Sequence, residues 1–134
     1  MKTDLLTIRI SYIVGIIADG LWTIALFFPK VFSIVTNNPN FAPELETRLI
    51  MGIAGSLMLG WTLLLIWAFL KPIERRFILL LTAFPVVLCL FVIALISALN
   101  NNQFAIWILI KTLVIIILMT YSYFKANRIA KYNY

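Results

Sequence analysis

Three charged residues lie inside long apolar stretches of the chain and are its best candidates for chemistry. Asp19 lies in the middle of the first stretch, Arg48 near the start of the second and Lys111 inside the last. In a lipid bilayer, a charge near the centre costs about 3 kcal/mol on insertion scales and more than about 10 kcal/mol in simulations. We therefore expect these residues to pair with one another, face water or bind a ligand.

The composition assigns the chain to a lipid bilayer. Hydrophobic residues make up 63% of its 134 residues and charged residues 12%, whereas a soluble domain has roughly 45–50% apolar and about 25% charged residues. A chain of this length has room for one domain with four spans of about 20 residues each. The sequence therefore predicts an all-α membrane protein, a single four-transmembrane-helix bundle over residues 1–134.

Four apolar stretches supply the predicted spans. As a helix, each is long enough to cross a hydrocarbon core of about 30 Å, and a helix satisfies its own backbone where lipid cannot. Breaks at Pro29, at Lys71-Pro72 and at the asparagines after Leu99 separate the stretches. The predicted spans are residues 5–28, 44–70, 74–99 and 103–124.

Basic residues predict the orientation of these spans. In a four-span topology, eight of them lie on the side of both termini, and two, Lys30 and Arg48, lie on the other side. By the positive-inside rule, both termini face the cytoplasm of a bacterial cell, and the protein is a multi-pass protein of the inner (plasma) membrane. The net charge of +6 is then a topology determinant in contact with anionic headgroups, not a nucleic-acid interface. The eight are Lys2, Arg9, Lys71, Arg75, Arg76, Lys125, Arg128 and Lys131.

This topology places Asp19 and Lys111 at the same depth. Asp19 lies nine residues before the outer end of span one, and Lys111 lies eight residues after the outer start of span four. At 1.5 Å per residue, each is about 12–14 Å below the outer boundary. Arg48 lies about one turn above Asp19 and offers a competing partner with a long side chain.

Three interpretations of these charges stay open. An Asp19–Lys111 or Asp19–Arg48 pair would set the helix register without any ligand. Alternatively, the three residues carry one excess positive charge and bind a lipid phosphate or another amphipathic anion from the outer leaflet. In the third interpretation, Asp19 is a titrating group on an ion or proton pathway.

Aromatic residues flank the charged positions at helical spacing. Hydrophobic pockets with a few convergent polar groups are typical of small-molecule sites, although aromatics at this spacing are also ordinary core residues. The predicted ligand-binding residues are Asp19, Lys111, Arg48, Trp22, Trp107 and Tyr12.

Other residues predict local features of spans two, three and four. Gly52, Ser56 and Gly60 form a stripe of small residues on which another helix of the chain, or a second copy, can pack. Pro85 removes one helical hydrogen bond from span three and predicts a kink there. We expect span four to continue beyond Phe124 as a basic helical end.

The span layout and two short motifs can be compared with known families. The motifs are Phe28-Pro29 at the end of span one and Arg48-x3-Gly52-x2-Gly55-x4-Gly60 in span two. Together with the four short-looped spans, they resemble the DoxX-like group of small bacterial membrane proteins. The resemblance implies the four-span fold. Some members of that group are associated with redox complexes as non-catalytic membrane subunits, but this chain lacks a redox ligand set.

The residue inventory argues against catalysis. Histidine, the commonest general base and metal ligand, is absent, and the single cysteine, Cys89, has no partner in the chain. We find no catalytic residues, metal site or cofactor. The sequence predicts a non-enzymatic membrane protein that binds a lipid or hydrophobic anion, or serves as an assembly or accessory subunit. The alternatives are a small oligomeric transporter or channel with Asp19 and Lys111 in its pathway, and a membrane enzyme acting on a lipid.

The expected partners follow from this function. They are membrane lipids and, as alternatives, further copies of the chain or a larger membrane complex, with no nucleic acid.

Thiol labelling of intact cells tests the predicted orientation. Cysteines introduced at Asn38 and Asn101 are expected to react with an impermeant thiol reagent added outside, because both loops face outward. A cysteine at Arg75 is expected not to react, since its loop faces the cytoplasm. Labelling at position 75 would contradict the orientation.

Overall fold

The structure is a computed structural model, and it describes residues 2–100 and 103–132. It is 87% helical, with no strand in those two ranges. Asn101, the predicted outer labelling site, lies outside the described residues.

Four helical segments are long and apolar enough to cross a membrane, which confirms the predicted all-α, four-span fold class. These segments are Thr3–Phe27, Leu45–Leu70, Phe77–Leu99 and Phe104–Lys131. In chain order the elements are α1 (Lys2–Phe27), α2 (Pro29–Val35), α3 (Leu45–Leu70), α4 (Phe77–Leu81), a π-helical turn (Thr82–Val87), α5 (Leu88–Leu99) and α6 (Gln103–Tyr132).

The short helix α2 is a feature that the sequence does not predict. The sequence predicts only that Pro29 ends span one, yet Pro29 also begins α2. Phe28 takes an extended conformation (φ −117°, ψ 99°), as residues before proline prefer, and the locked φ of Pro29 suits a first helical position. After α2, Asn37 adopts a φ of 52°, a left-handed conformation that asparagine tolerates at helix ends.

Pro85 lies within the π-helical turn that separates α4 from α5. Proline has no N–H to donate to the preceding turn, and a wider turn accommodates that loss. At the end of this turn, the backbone N–H of Leu88 donates to the carbonyl oxygen of Ala83, five residues back. The helix is therefore locally widened at Pro85, and the predicted kink stays a prediction.

Helix α6 continues well beyond the predicted end of span four. Its 30 residues end at Tyr132 and give it a length of about 45 Å, which exceeds a hydrocarbon core of about 30 Å. The predicted basic helical end after Phe124 is thus confirmed.

Contacts divide the chain into two compact units, and each is described by itself. The middle unit is Gly15–Ile66, and the terminal unit combines Met1–Val14 with Trp67–Tyr134. Helices α1 and α3 each contribute one part to both units. A single domain over residues 1–134 stays a prediction.

In the terminal unit, α6 packs against α4, the π-helical turn and α5. Buried alanines, among them Ala83, Ala94 and Ala105, keep the helices close, which is how helices associate in lipid. Ser11 on α1 and Ser122 on α6 are both fully buried, and their hydroxyl oxygens are 2.6 Å apart. This hydrogen bond joins the first turns of α1 to α6.

In the middle unit, α1 and α3 pack closely at Gly55. A Cβ atom at Gly55 would lie 3.3 Å from Cβ of Leu26 and 3.4 Å from the ring of Phe27. The absence of a side chain at Gly55 therefore permits this packing.

The predicted packing stripe is not covered in the same way. A Cβ atom at Gly52 or Gly60 would meet no atom within 4 Å. Ser56 is exposed and donates its hydroxyl to the carbonyl oxygen of Gly52, 2.9 Å away. Among these glycines of α3, Gly55 makes the close helix contact. Packing on Gly52, Ser56 and Gly60, by another helix of the chain or by a second copy, stays a prediction.

A matched pair of glycine substitutions tests this difference. Gly55→Leu is expected to destabilise the protein by about 1–3 kcal/mol, because the new side chain must displace Leu26 and Phe27. Gly60→Leu on the same helix is expected to cost much less, since its Cβ meets open space. The measurement is thermal unfolding in detergent followed by circular dichroism. Equal losses would contradict the open environment of Gly60.

Candidate functional site

Asp19 lies on α1 within the middle unit, where it is half-buried. Its Oδ2 atom is buried and has no hydrogen-bond partner among the described residues. Buried polar atoms in native proteins nearly always have a partner, and leaving one unsatisfied costs about 1–3 kcal/mol or more for a charged group. The carboxyl group of Asp19 is therefore a candidate for a functional role.

The hydroxyl groups near Asp19 are already engaged. Thr23 donates its hydroxyl to the backbone carbonyl of Asp19, 2.8 Å away, and not to its carboxylate. Gly20 faces Thr62 on α3, because a Cβ at Gly20 would lie 4.0 Å from Cγ2 of Thr62. Thr62 in turn donates its hydroxyl to the carbonyl of Met58, 2.8 Å away. Each hydroxyl has one proton to donate, so neither donates to the carboxyl group.

Arg48 lines a cleft in the middle unit, where the end of α1 and the start of α2 lie near the first turns of α3. The cleft has a volume of about 70 Å³. Arg48 is exposed and forms no salt bridge among the described residues. Since Gly52 has no side chain, it leaves this space open. The lining residues are Leu26, Phe27, Pro29, Arg48, Met51 and Gly52.

Of the two pairs predicted for Asp19, the one with Arg48 is not formed in the middle unit. Asp19 does not line the cleft, and its buried Oδ2 has no partner. The physical reason is that Arg48 lies in the first turns of α3, where its side chain is exposed and directed to the cleft. The cleft therefore holds one uncompensated positive charge among uncharged residues.

The other predicted ligand residues have mixed environments. Trp22, also in the middle unit, has its ring centroid 6.3 Å from that of Phe32. In the terminal unit, Tyr12 is fully buried and donates its hydroxyl to the backbone carbonyl of Arg75, 3.0 Å away. This bond gives Tyr12 a structural role.

Trp107 and Lys111 lie one helical turn apart on α6 of the terminal unit. Trp107 is 65% exposed, and Lys111 is exposed as well. Since the six predicted residues fall in both units, their assembly into one site stays a prediction. The same holds for the Asp19–Lys111 pair.

The terminal unit contains a polar cluster that is not predicted from the sequence, which we call the basic end (residues 4–12, 67–76 and 121–131). Here Lys125 forms a salt bridge with Asp4, with 3.0 Å between Nζ and Oδ1. The Arg76 Nε donates to Oδ1 of Asn127, 3.2 Å away. One feature of the sequence points to this cluster: the predicted topology places both termini and residues 71–76 on the same side of the membrane.

A metal site is not found in the described part of the chain. Within residues 2–100 and 103–132, no three His, Cys, Asp or Glu side chains are placed to hold a metal ion.

No family model, curated protein or solved structure matches the chain. The DoxX-like resemblance therefore stays a prediction.

Substitution of Asp19 tests whether its carboxyl group is paired. Because Oδ2 has no partner, Asp19→Asn is expected to leave the melting temperature in detergent unchanged or to raise it. An ion pair would give the opposite result, because breaking a buried pair costs about 3–5 kcal/mol. Destabilisation by Asp19→Asn that Lys111→Met reverses would establish the predicted Asp19–Lys111 pair.

Proposed function

We propose that the chain is a non-enzymatic, multi-pass protein of the inner plasma membrane that binds an amphipathic anion at the cleft beside Arg48. The ligand class is a long acyl chain with a carboxylate or phosphate group. The observation that supports this proposal is the cleft itself, in which one unpaired guanidinium meets five uncharged lining residues.

The guanidinium group accounts for the anionic part of the ligand. Arginine carries five N–H donors in a planar arrangement that matches carboxylate and phosphate oxygens. Arg48 has no acidic partner among the described residues, so these donors are available to a ligand. Binding an anion would compensate a charge that otherwise stays unpaired near apolar surface.

A groove on α3 accounts for the acyl part. Arg48, Gly52, Ser56 and Gly60 follow one another at intervals of four residues, and each interval advances about 40° beyond a full turn, so these positions form a strip that winds about 120° around the helix. The space above Gly52 and Gly60 is open. These positions form a shallow groove that extends about 18 Å from Arg48, with the anionic group at one end.

Large apolar side chains beside the groove suit the same ligand. Leu45, Leu49 and Ile53 are 84%, 66% and 56% exposed and lie at helical spacing on α3. An acyl chain in the groove would contact this surface, as would the surrounding lipid. The proposed site therefore opens directly to the bilayer, and a lipid-derived anion can enter from the membrane.

A second candidate function is favoured by Asp19. Its buried, unpartnered Oδ2 would suit an ion or proton pathway in a small oligomeric transporter, because intramembrane acids commonly serve such pathways. Transport activity of the purified protein in proteoliposomes that Asp19→Asn abolishes would favour this function over binding alone.

Ligand retention tests the binding proposal. Native mass spectrometry in mild detergent is expected to show palmitate bound to the unmodified protein, and Arg48→Gln is expected to weaken its affinity about tenfold or more, because a hydrogen bond to a charged group contributes about 1.5–3 kcal/mol. Lys30→Gln removes the same charge from an exposed position of the middle unit that does not line the cleft, and is expected to have little effect.

A second variant distinguishes binding of palmitate in the cleft from nonspecific electrostatic attraction. Gly52→Leu fills the cleft without a steric clash, since a Cβ there meets nothing within 4 Å, and is expected to block palmitate while leaving the melting temperature unchanged. Palmitate should also raise the melting temperature of the unmodified protein in a dose-dependent way. If palmitate neither stays bound nor raises the melting temperature, the binding proposal fails.

A further inference from the structure

The basic end of the terminal unit carries more positive charge than its own acids compensate. Its described side chains include seven basic and two acidic residues, an excess of five charges. Asp4 pairs with Lys125 and Glu74 with Lys71, each at 3.0 Å. The basic residues without an acidic partner among the described residues are Arg9, Arg75, Arg76, Arg128 and Lys131.

Contacts bring these residues from three parts of the chain to one surface. The Tyr12 hydroxyl binds the carbonyl of Arg75 and so joins α1 to residues 71–76. The Arg9 guanidinium lies 6.0 Å from the ring centroid of Phe69. The Arg76–Asn127 hydrogen bond adds the end of α6. The excess charge is therefore concentrated at one end of the terminal unit.

Aromatic rings indicate the depth of this surface in the membrane. The Arg75 guanidinium lies 3.5 Å from the ring centroid of Trp67, and the Lys125 Nζ lies 4.7 Å from that of Tyr121. Tryptophan and tyrosine are enriched at the level of lipid headgroups, and cations interact favourably with their faces. The basic end therefore suits the interface, where phosphate groups are concentrated.

Arg76 is the best-positioned phosphate ligand on this surface. Its Nε donates to Oδ1 of Asn127 at 3.2 Å and its Nη1 to the carbonyl oxygen of Ile73 at 3.0 Å. Both acceptors are neutral, so they orient the guanidinium without compensating its charge. The Nη2 atom has no partner among the described residues. Arg128, which is exposed, contributes to the excess charge of the basic end.

We propose that Arg76 binds the phosphate of an anionic phospholipid headgroup, with Asn127 as a positioning residue. A lipid is favoured over a soluble phosphate because exposed apolar surface adjoins the site. Tyr121 and Phe124 lie on α6 where the basic end begins. They are 53% and 63% exposed and can contact acyl chains. This site is separate from the cleft beside Arg48 and does not depend on the function proposed for it.

Native mass spectrometry of the full chain in mild detergent tests the site. It compares the binding of dioleoylphosphatidylglycerol, an anionic lipid, with that of dioleoylphosphatidylcholine. The unmodified protein is expected to prefer the anionic lipid. Arg76→Gln is expected to reduce the affinity of the protein for phosphatidylglycerol about fivefold, which is the effect of one cation near a membrane surface. The affinity for phosphatidylcholine is expected to stay unchanged. Lys71→Gln removes the same charge from the same end, but Lys71 is already paired, so a smaller reduction is expected.

Asn127→Ala provides an independent readout, because it changes no charge and tests the proposal even if Arg76→Gln fails to fold. We expect it to reduce the preference for phosphatidylglycerol, which a purely structural role would not alter, and Asn127→Ser to restore part of it. Gly52→Leu is expected to leave this preference unchanged, so failure at the Arg48 cleft and failure here are distinguishable.

Three outcomes would overturn the proposal. The first is equal affinity for the two lipids. The second is an equal reduction by Arg76→Gln and Lys71→Gln, which would indicate attraction spread over the whole surface. The third is displacement of phosphatidylglycerol by equimolar inorganic phosphate, which would assign the site to a soluble anion.

Discussion

Lipid offers no hydrogen-bond partners, and this constraint determines where polar atoms of the chain can lie. Most hydroxyl groups within the spans donate to carbonyls of their own helix, as Thr23, Thr62 and Thr112 do at 2.8, 2.8 and 2.9 Å. Such groups need no neighbour and carry little information about function. Polar groups that depart from this rule are informative, because each must have a partner in the protein or a ligand. Asp19 is the clearest departure, since its Oδ2 is buried without a partner.

The two units satisfy this constraint in different ways. In the terminal unit, Ser11 and Ser122 share a hydrogen bond and Arg76 is oriented by Asn127, while Oγ1 of Thr120 is buried without a partner among the described residues. In the middle unit, neither Oδ2 of Asp19 nor the guanidinium of Arg48 has a polar partner among the described residues. The unpaired groups of the middle unit therefore favour ligand binding there, and the excess charge at the end of the terminal unit favours lipid recognition.

Length and composition were sufficient to predict the spans, because about 20 apolar residues are needed to cross a bilayer. Side-chain contacts were harder to predict. A helix that is apolar on every side gives no signal of which face is covered, so the sequence could not distinguish Gly55, which contacts Leu26, from Gly52 and Gly60, which contact nothing. Helix α2 was missed because a proline that ends one helix can also begin the next. Likewise, the predicted topology and the helical rise placed Arg48 near Asp19 in depth but could not show that Arg48 lines a cleft.

The π-helical turn at Pro85 has a consequence for the face that the third span presents to α6. The buried residues Leu79, Ala83 and Val87 follow one another in steps of four, and each such step in a regular α-helix rotates a side chain by about 40° beyond a full turn. Two steps would carry Val87 about 80° away from the face of Leu79. A wider turn takes up this drift, so α4, the turn and α5 all pack on α6. The π-helical turn thus works as a phase correction along the helix axis, and deletion of one residue from it would rotate all of α5 by about 100° against α6.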